Sequence, residues 1–295
     1  NRVLNFPLEV RTMDKKNSIF GKKFAITGCT GGLGRELCFK LAEAGAELIM
    51  LDRNPQKSET LEAELKSRFG GVKITRITTE LEDINSVKAA VDQLVQLKPH
   101  FFIANAGAYS IPRHICNSGY DNVFQINFVS PYYIIRKLHE ADPDIKIIAV
   151  GSIAHTYSKI NENDIDFRTY KSSAKTYGNS KRYLMLALGE YFKNSPENLA
   201  IVHPGITFTN ITAHYPKIIF AIIKHPMKLI FMKPKKAVLC IYEGVFTATE
   251  FGTWIGPRIF GVWGKPKKQK LKVSYSPDAK KASKTANEIY KTLIH

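Results

Sequence analysis

The feature that most constrains this chain is a repeating alternation between residues 23 and 205. Short, almost wholly apolar runs are each followed by a longer stretch with helical spacing. KFAIT, AELIMLD, VKITRITTE, HFFIANAG, IKIIAVGS and NLAIVHPG are the expected strands. The intervening segments 35–45, 56–69, 84–96, 121–141 and 177–192 are the expected helices. Leu37, Leu41 and Ala44 share a face of the first, and Leu61 and Leu65 share a face of the second. Strands that are apolar throughout are covered on both faces, and parallel neighbours need a crossover helix to return. The pattern therefore predicts an α/β fold built on one doubly wound parallel sheet with helices on both faces. A chain of 295 residues buries enough surface to need no disulfides. Cys29, Cys38, Cys116 and Cys240 are scattered without metal-ligand spacing, which points to a reducing compartment and no metal site.

The first expected strand ends in Thr27-Gly28-Cys29-Thr30-Gly31-Gly32-Leu33-Gly34 and runs straight into a helix. Glycines at such a turn let the backbone approach a pyrophosphate, which then rests on the positive helix N-terminus. Asp52 ends the second strand, placed to accept hydrogen bonds from an adenosine ribose. A carboxylate there repels a 2′-phosphate and favours NAD, with NADP the second choice. The neighbouring Arg53 is placed either to contact a phosphate or to stack on adenine. Further along, Tyr177 and Lys181 lie four residues apart and share a helix face. An ammonium beside a phenol lowers the phenol's pKa, which suits a general acid/base for an alcohol–carbonyl pair.

Taken in order, Thr27-Gly28-x-x-x-Gly32-x-Gly34, Asn105-Ala106-Gly107, Asn127, Ser152, Tyr177-x-x-x-Lys181 and Pro204-Gly205 resemble the short-chain dehydrogenase/reductase family over roughly residues 20–265. Gly151-Ser152-Ile153-Ala154-His155, Asp164-Ile165-Asp166-Phe167, the Tyr-Gly-x-Ser-Lys form and Trp263-Gly264-Lys265-Pro266 are similar to its retinol-dehydrogenase-like branch. The resemblance implies a Rossmann-type fold and a short-chain NAD(P)-dependent alcohol dehydrogenase or ketone reductase. It implies that Ser152 holds the substrate oxygen, that Tyr177 exchanges the proton, and that Lys181 binds the nicotinamide ribose. Asn127 would position a water linking Lys181 to solvent. His155, three residues after Ser152, is expected in a structural or substrate-wall role rather than in proton transfer. The implied cofactor contacts are Thr27, Gly28, Thr30, Gly31, Gly32, Leu33 and Gly34 in the loop, with Asp52 and Arg53 at the ribose. Glu80 and Leu81 would lie near the adenine, with Asn105, Ala106 and Gly107 beside the ribose. Tyr177, Lys181, Pro204, Gly205, Ile206 and Thr209 would meet the nicotinamide end. Pairing of two copies through the helices carrying Asn127 and Tyr177 is also implied.

The expected organisation is an N-terminal arm (1–19), a dehydrogenase domain (20–265) with a lid at about 207–235, and an irregular basic tail (266–295). Charge sharpens that division. The chain carries a formal +17, and residues 216–295 hold 16 Lys+Arg against 4 Asp+Glu, or 16 − 4 = +12. Pro216–Met232 is apolar but interrupted by Lys224, His225, Pro226 and Lys228, too short and too charged to span a bilayer. An apolar lid implies an apolar substrate such as a steroid, retinoid or other lipid. Lysines threaded through it, with two lysine-rich stretches downstream, suit an anionic membrane surface and a cytoplasmic or peripheral location. The competing expectation is a non-catalytic dinucleotide-binding regulator or scaffold whose basic tail binds nucleic acid. The intact Asn127, Ser152, Tyr177 and Lys181 set argues against it, since a sensor needs no proton relay.

Overall fold

The computed structural model describes residues 14–15, 17–206, 232–271 and 276–294. The six expected strands form as β1 (Lys23–Thr27), β2 (Glu47–Asp52), β3 (Ile74–Thr78), β4 (Phe101–Ala104), β5 (Lys146–Val150) and β6 (Leu199–Val202). Two further strands, β7 (Thr253–Ile259) and β8 (Trp263–Lys270), extend one sheet in the order β3-β2-β1-β4-β5-β6-β7-β8. All neighbours pair in parallel except β7 and β8, which form an antiparallel hairpin. Chain order reverses between β1 and β4, and a crevice opens where crossovers leave a sheet in opposite directions.

Alternate strand residues feed two separate cores, as the period of two demands. Phe24 and Ile26 point to the face covered by α1 (Gly32–Glu43), α2 (Pro55–Arg68) and α7 (Pro234–Phe246). Ala25, Phe102 and Ile147 point to the face covered by α3 (Ile84–Leu97), α5 (Ser130–Ala141), α6 (Ser173–Tyr191) and α8 (Ser276–Ile294). Helix starts follow local chemistry. Asn54 accepts a hydrogen bond from Lys57 N ahead of Pro55, Asp83 from Asn85 N, and Ser172 from Lys175 N.

The structure differs from the sequence reading in two places. The stretch expected as one helix over 121–141 is α4 (Asn122–Phe124), a π-helical turn (Gln125–Val129) and then α5. The turn lets Ser130 N reach Gln125 O, and the wider winding holds Asn127 at its centre. Second, the described residues after 265 are not irregular. They contain most of β8 and all of α8, which lies along α6 and α5 with Ala279, Ala282, Ala286, Ile289, Tyr290 and Leu293 buried. Small alanines dilute that helical stripe, and the Lys- and Pro-rich β8 is an exposed edge strand without alternation, so neither is legible as apolar periodicity. α8 packs against α5 and α6. Arg136 of α5 stacks over the Tyr191 and Tyr290 rings (4.4 and 4.2 Å) and donates to Asn287 Oδ1 at 2.8 Å. Thr209 and most of the expected lid lie outside the described residues.

Candidate active site

The glycine-rich loop follows β1 and ends at α1, at the crevice between β1 and β4. Gly28 takes a left-handed φ of 71°, and a Cβ at Gly34 would run into Gly28 O and come within 2.9 Å of Asn105 Nδ2. Only glycine permits this winding. Asn105, just after β4, fastens the loop from the other side of the crevice. Its Nδ2 donates to Thr27 O (3.0 Å) and Gly28 O (3.2 Å). The Thr27 hydroxyl in turn accepts from Asn105 N (3.1 Å) and Ala106 N (3.0 Å). The first turn of α1 has no side-chain cap, so its amide hydrogens are left for an anion. A glycine-walled cradle on an uncapped helix N-terminus fits the pyrophosphate of a dinucleotide.

Asp52 is more occupied than its position in sequence suggests. Oδ1 accepts from Thr30 N (3.0 Å) and Thr30 Oγ1 (3.2 Å), and Oδ2 accepts from Ser58 Oγ (3.1 Å). Burial raises its pKa against the opposing pull of those hydrogen bonds. Asp52 thus ties β2 to the loop and to α2, with Oδ2 retaining acceptor capacity for a ribose hydroxyl. Arg53 points outward and pairs with Glu80 at 3.7 Å. Leu81 contributes its carbonyl to Ser130 Oγ at 2.6 Å, and Leu33 packs onto the α1 side of the sheet. Gly205 leaves β6 with φ 84°, and Ile206 O accepts from Met232 N at 2.8 Å.

The second cluster converges at the C-terminal ends of β4 and β5. Ser152 follows β5 and caps a short 3-10 turn (Ile153–Tyr157), its Oγ accepting from Ala154 N at 3.2 Å. The Ser152 hydroxyl hydrogen-bonds the Tyr177 phenol and pulls its pKa down, but burial dominates and pushes it up to about 12. Lys181, one turn along α6, is buried and donates to Val150 O at 2.8 Å, with Nζ 5.9 Å from the Tyr177 ring centre. Burial holds its pKa down at about 8. The expected lowering of the phenol by the ammonium is not found: Lys181 is not among the groups that shift Tyr177, and desolvation disfavours the charged form of each. Asn127 is fully buried. Its Nδ2 donates to Ala108 O (2.8 Å) and Val123 O (2.9 Å), and its Oδ1 accepts from Ala108 N (3.0 Å). These bonds lock the π turn to the loop after β4 that carries Gly107.

His155 is buried, with Nδ1 on Ser152 O at 2.7 Å and its ring edge-on to Trp254. Burial lowers its pKa, which favours the neutral ring. His203, buried and stacked on the other ring contact of Trp254 at 4.8 Å, is held down at about 4 by burial. Sequence reasoning missed Tyr109, whose ring packs edge-on to Tyr177 at 5.3 Å. Only its place two residues beyond Asn105-Ala106-Gly107 could have flagged it. A shallow cavity of about 280 Å³ opens beside the start of α6, lined by Tyr157, Ile160, Phe167, Tyr170 and Lys175 among others.

Comparison with known proteins agrees with this geometry. A family model described as short chain dehydrogenase matches residues 22–216. Mouse retinol dehydrogenase 12 is 28% identical over 201 residues, covering 65% of this chain and 63% of that protein. Human retinol dehydrogenase 11 is 25% identical over 203 residues, covering 66% and 64%. The chain thus matches just under two thirds of the length of these relatives. Among solved structures, a protein from Mycobacterium paratuberculosis superimposes with a TM-score of 0.65 at 21% identity, covering 94% and 96% of the two chains. An NADPH-dependent 3-quinuclidinone reductase from Rhodotorula rubra gives 0.61 at 23% identity, covering 85% and 94%. These two likenesses carry the fold. With the loop, the crevice and the serine–tyrosine–lysine cluster in place, the chain belongs to the short-chain dehydrogenase family, in its retinol-dehydrogenase-like branch.

Proposed function

We propose that the chain is an NAD(P)-dependent oxidoreductase that interconverts an alcohol and a ketone or aldehyde on an apolar substrate, such as a steroid, retinoid or other lipid-like molecule. The observation that carries this reading is the convergence of Ser152, Tyr177 and Lys181 beside a dinucleotide cradle. When bound, the nicotinamide supplies or takes up the hydride. The Ser152 hydroxyl would donate to the substrate oxygen and hold it against the phenol. Tyr177, kept protonated at neutral pH by a pKa near 12, then gives its proton to that oxygen as the general acid of the reductive direction. Lys181, drawn toward the cofactor ribose, would bring positive charge to the phenol and replace the lost proton through the chain anchored at Asn127. His155 would shape the substrate wall without exchanging protons.

NAD(H) is the preferred cofactor in this reading. Asp52 ends β2 at the ribose end, and the neighbouring guanidinium, Arg53, is already paired with Glu80; that charge balance disfavours a 2′-phosphate. The apolar substrate class is supported by the retinol dehydrogenase relatives and by the Ile-, Phe- and Met-rich run at 216–232. We include peripheral attachment to an anionic lipid surface on its cytoplasmic side. No helix among the described residues is long and apolar enough to cross a membrane. At the β7–β8 turn, however, Ile259 and Phe260 are 50% and 79% exposed, with Lys265, Lys267, Lys268 and Lys270 on the strand that follows. The deciding experiment titrates NADH and NADPH separately, then follows cofactor absorbance with steroid, retinoid and aliphatic alcohol–carbonyl pairs. Tighter binding of NADH and turnover of an apolar pair are expected. Failure of all pairs with both cofactors would sink the activity.

A further inference from the structure

The turn that carries Ser152 is held by a partly buried ion pair that begins on a helix outside the matched family segment. Arg182 follows Lys181 in α6, and its side chain is 5% exposed. Its Nη1 donates to His155 O at 3.0 Å, while Nε (3.0 Å) and Nη2 (2.5 Å) donate to Asp278 Oδ2 in the first turn of α8. His155 closes back on Ser152 twice, through its backbone N to Ser152 O at 3.1 Å and its ring Nδ1 to the same oxygen. A rigid guanidinium fork therefore bridges α8 to the carbonyl at the middle of the turn that presents the serine hydroxyl. Buried charge without this partner would be costly, so Arg182 and Asp278 hold each other in one geometry.

We infer that Arg182 and Asp278 are positioning residues that fix the Ser152–His155 turn against α6, so that α8 forms part of the active-site scaffold. This rests on the proposed role of Ser152 in holding the substrate oxygen. Neither Arg182 nor Asp278 touches the reacting atoms. Their effect is to keep the serine hydroxyl within hydrogen-bonding range of the Tyr177 phenol. Asp278 lies 96 residues from Arg182 and outside residues 22–216, so the family match alone assigns it nothing.

The test uses the full chain with Arg182→Met and Asp278→Asn. Asn287→Ala serves as a control that loosens α8 at its Arg136 contact without touching the bridge. Three quantities are read on each: amide hydrogen exchange of the peptide spanning 152–158, the dissociation constant for NADH, and kcat and KM with para-nitrobenzaldehyde. Both bridge variants are expected to exchange at least about tenfold faster over 152–158. They should also lose between about tenfold and a hundredfold in kcat, as small misplacements of reacting groups do, with NADH affinity within about twofold of wild type. Asn287→Ala should lower the melting temperature without either effect. Unchanged exchange in Arg182→Met would overturn the inference, as would an equal loss of kcat in Asn287→Ala at matched loss of melting temperature. If the exchange result holds while wild type turns over no carbonyl probe, the bridge stands and the oxidoreductase reading falls.

Discussion

Tyr177 and Lys181 share a helix face, yet the protein environment pushes both toward their neutral forms. The phenol rises to about 12 and the ammonium falls to about 8, each by burial. The lysine's charge is held at a stability cost below pH 8, whereas the phenol, neutral in the folded and unfolded chain alike, carries none below pH 10. Replacing Tyr177 with Phe removes the proton donor and little else. We expect kcat to fall by about 10²–10⁴ with NADH affinity retained, measured by steady-state rates and fluorescence titration. Lys181→Met should act in opposite directions on activity and stability, abolishing turnover while raising the melting temperature of the cofactor-free chain. The sign with pH follows from the lowered pKa. The unfolded lysine, titrating near 10.5, holds its proton where the folded one near 8 has lost it. The burial penalty is thus full below pH 8 and fades as pH rises toward 10.5. The gain in melting temperature from Lys181→Met should shrink across that window. At this scale the sequence was informative where a residue's chemistry is local: Tyr177 and Lys181 announce themselves by helical spacing. Ser152 needed the family resemblance to single it out. Arg182 and Asp278 were silent because their meaning is a contact between distant segments. Asp52 was legible in place but not in partners, since only the fold brings Thr30 and Ser58 to its oxygens.

The elements that build the crevice were readable because fully buried parallel strands leave an unmistakable apolar run. β7 and β8 were not, as Gly256 and Pro257 break the first and lysines fill the second. The close approach of α6 to the Ile153–Tyr157 turn was equally hidden, although its signature, Gly178, stands next to the tyrosine. A Cβ at Gly178 would strike Ala154 O and sit 3.3 Å from Tyr157 Cβ. Gly178→Ala should therefore push the Ser152 turn off the helix. Overpacking of this kind costs about 1–3 kcal/mol. The loss of melting temperature should be accompanied by a rise in KM for the carbonyl substrate and no change in NADH affinity. Equal weakening of cofactor and substrate would show that the helix itself had shifted.

Across the whole molecule, the basic excess is distributed between a folded edge strand, a packed helix and the segment around the expected lid. The tail that the competing reading assigned to nucleic acid is, in its described part, engaged with the core through α8. Attachment to anionic lipid should then depend on β8 and the β7–β8 turn. The full chain is expected to co-sediment with phosphatidylserine vesicles at low salt and to release as ionic strength shortens the range of attraction. Phe260→Ser together with Lys267→Glu and Lys268→Glu should reduce binding without altering NADH affinity. Indifference of the wild-type chain to such vesicles would remove the lipid surface from the proposal.

The same edge strand has a consequence for the behaviour of the chain in concentrated solution. β8 ends an eight-stranded sheet, and among the described residues no ninth strand pairs with its outer backbone groups. Four lysines and Pro266 along that border make it a poor template for another chain's strand, because approaching copies repel and the proline withholds a donor. The charge proposed to draw the molecule to a lipid surface would thereby also keep it from polymerising with itself, and screening that charge would remove both effects together.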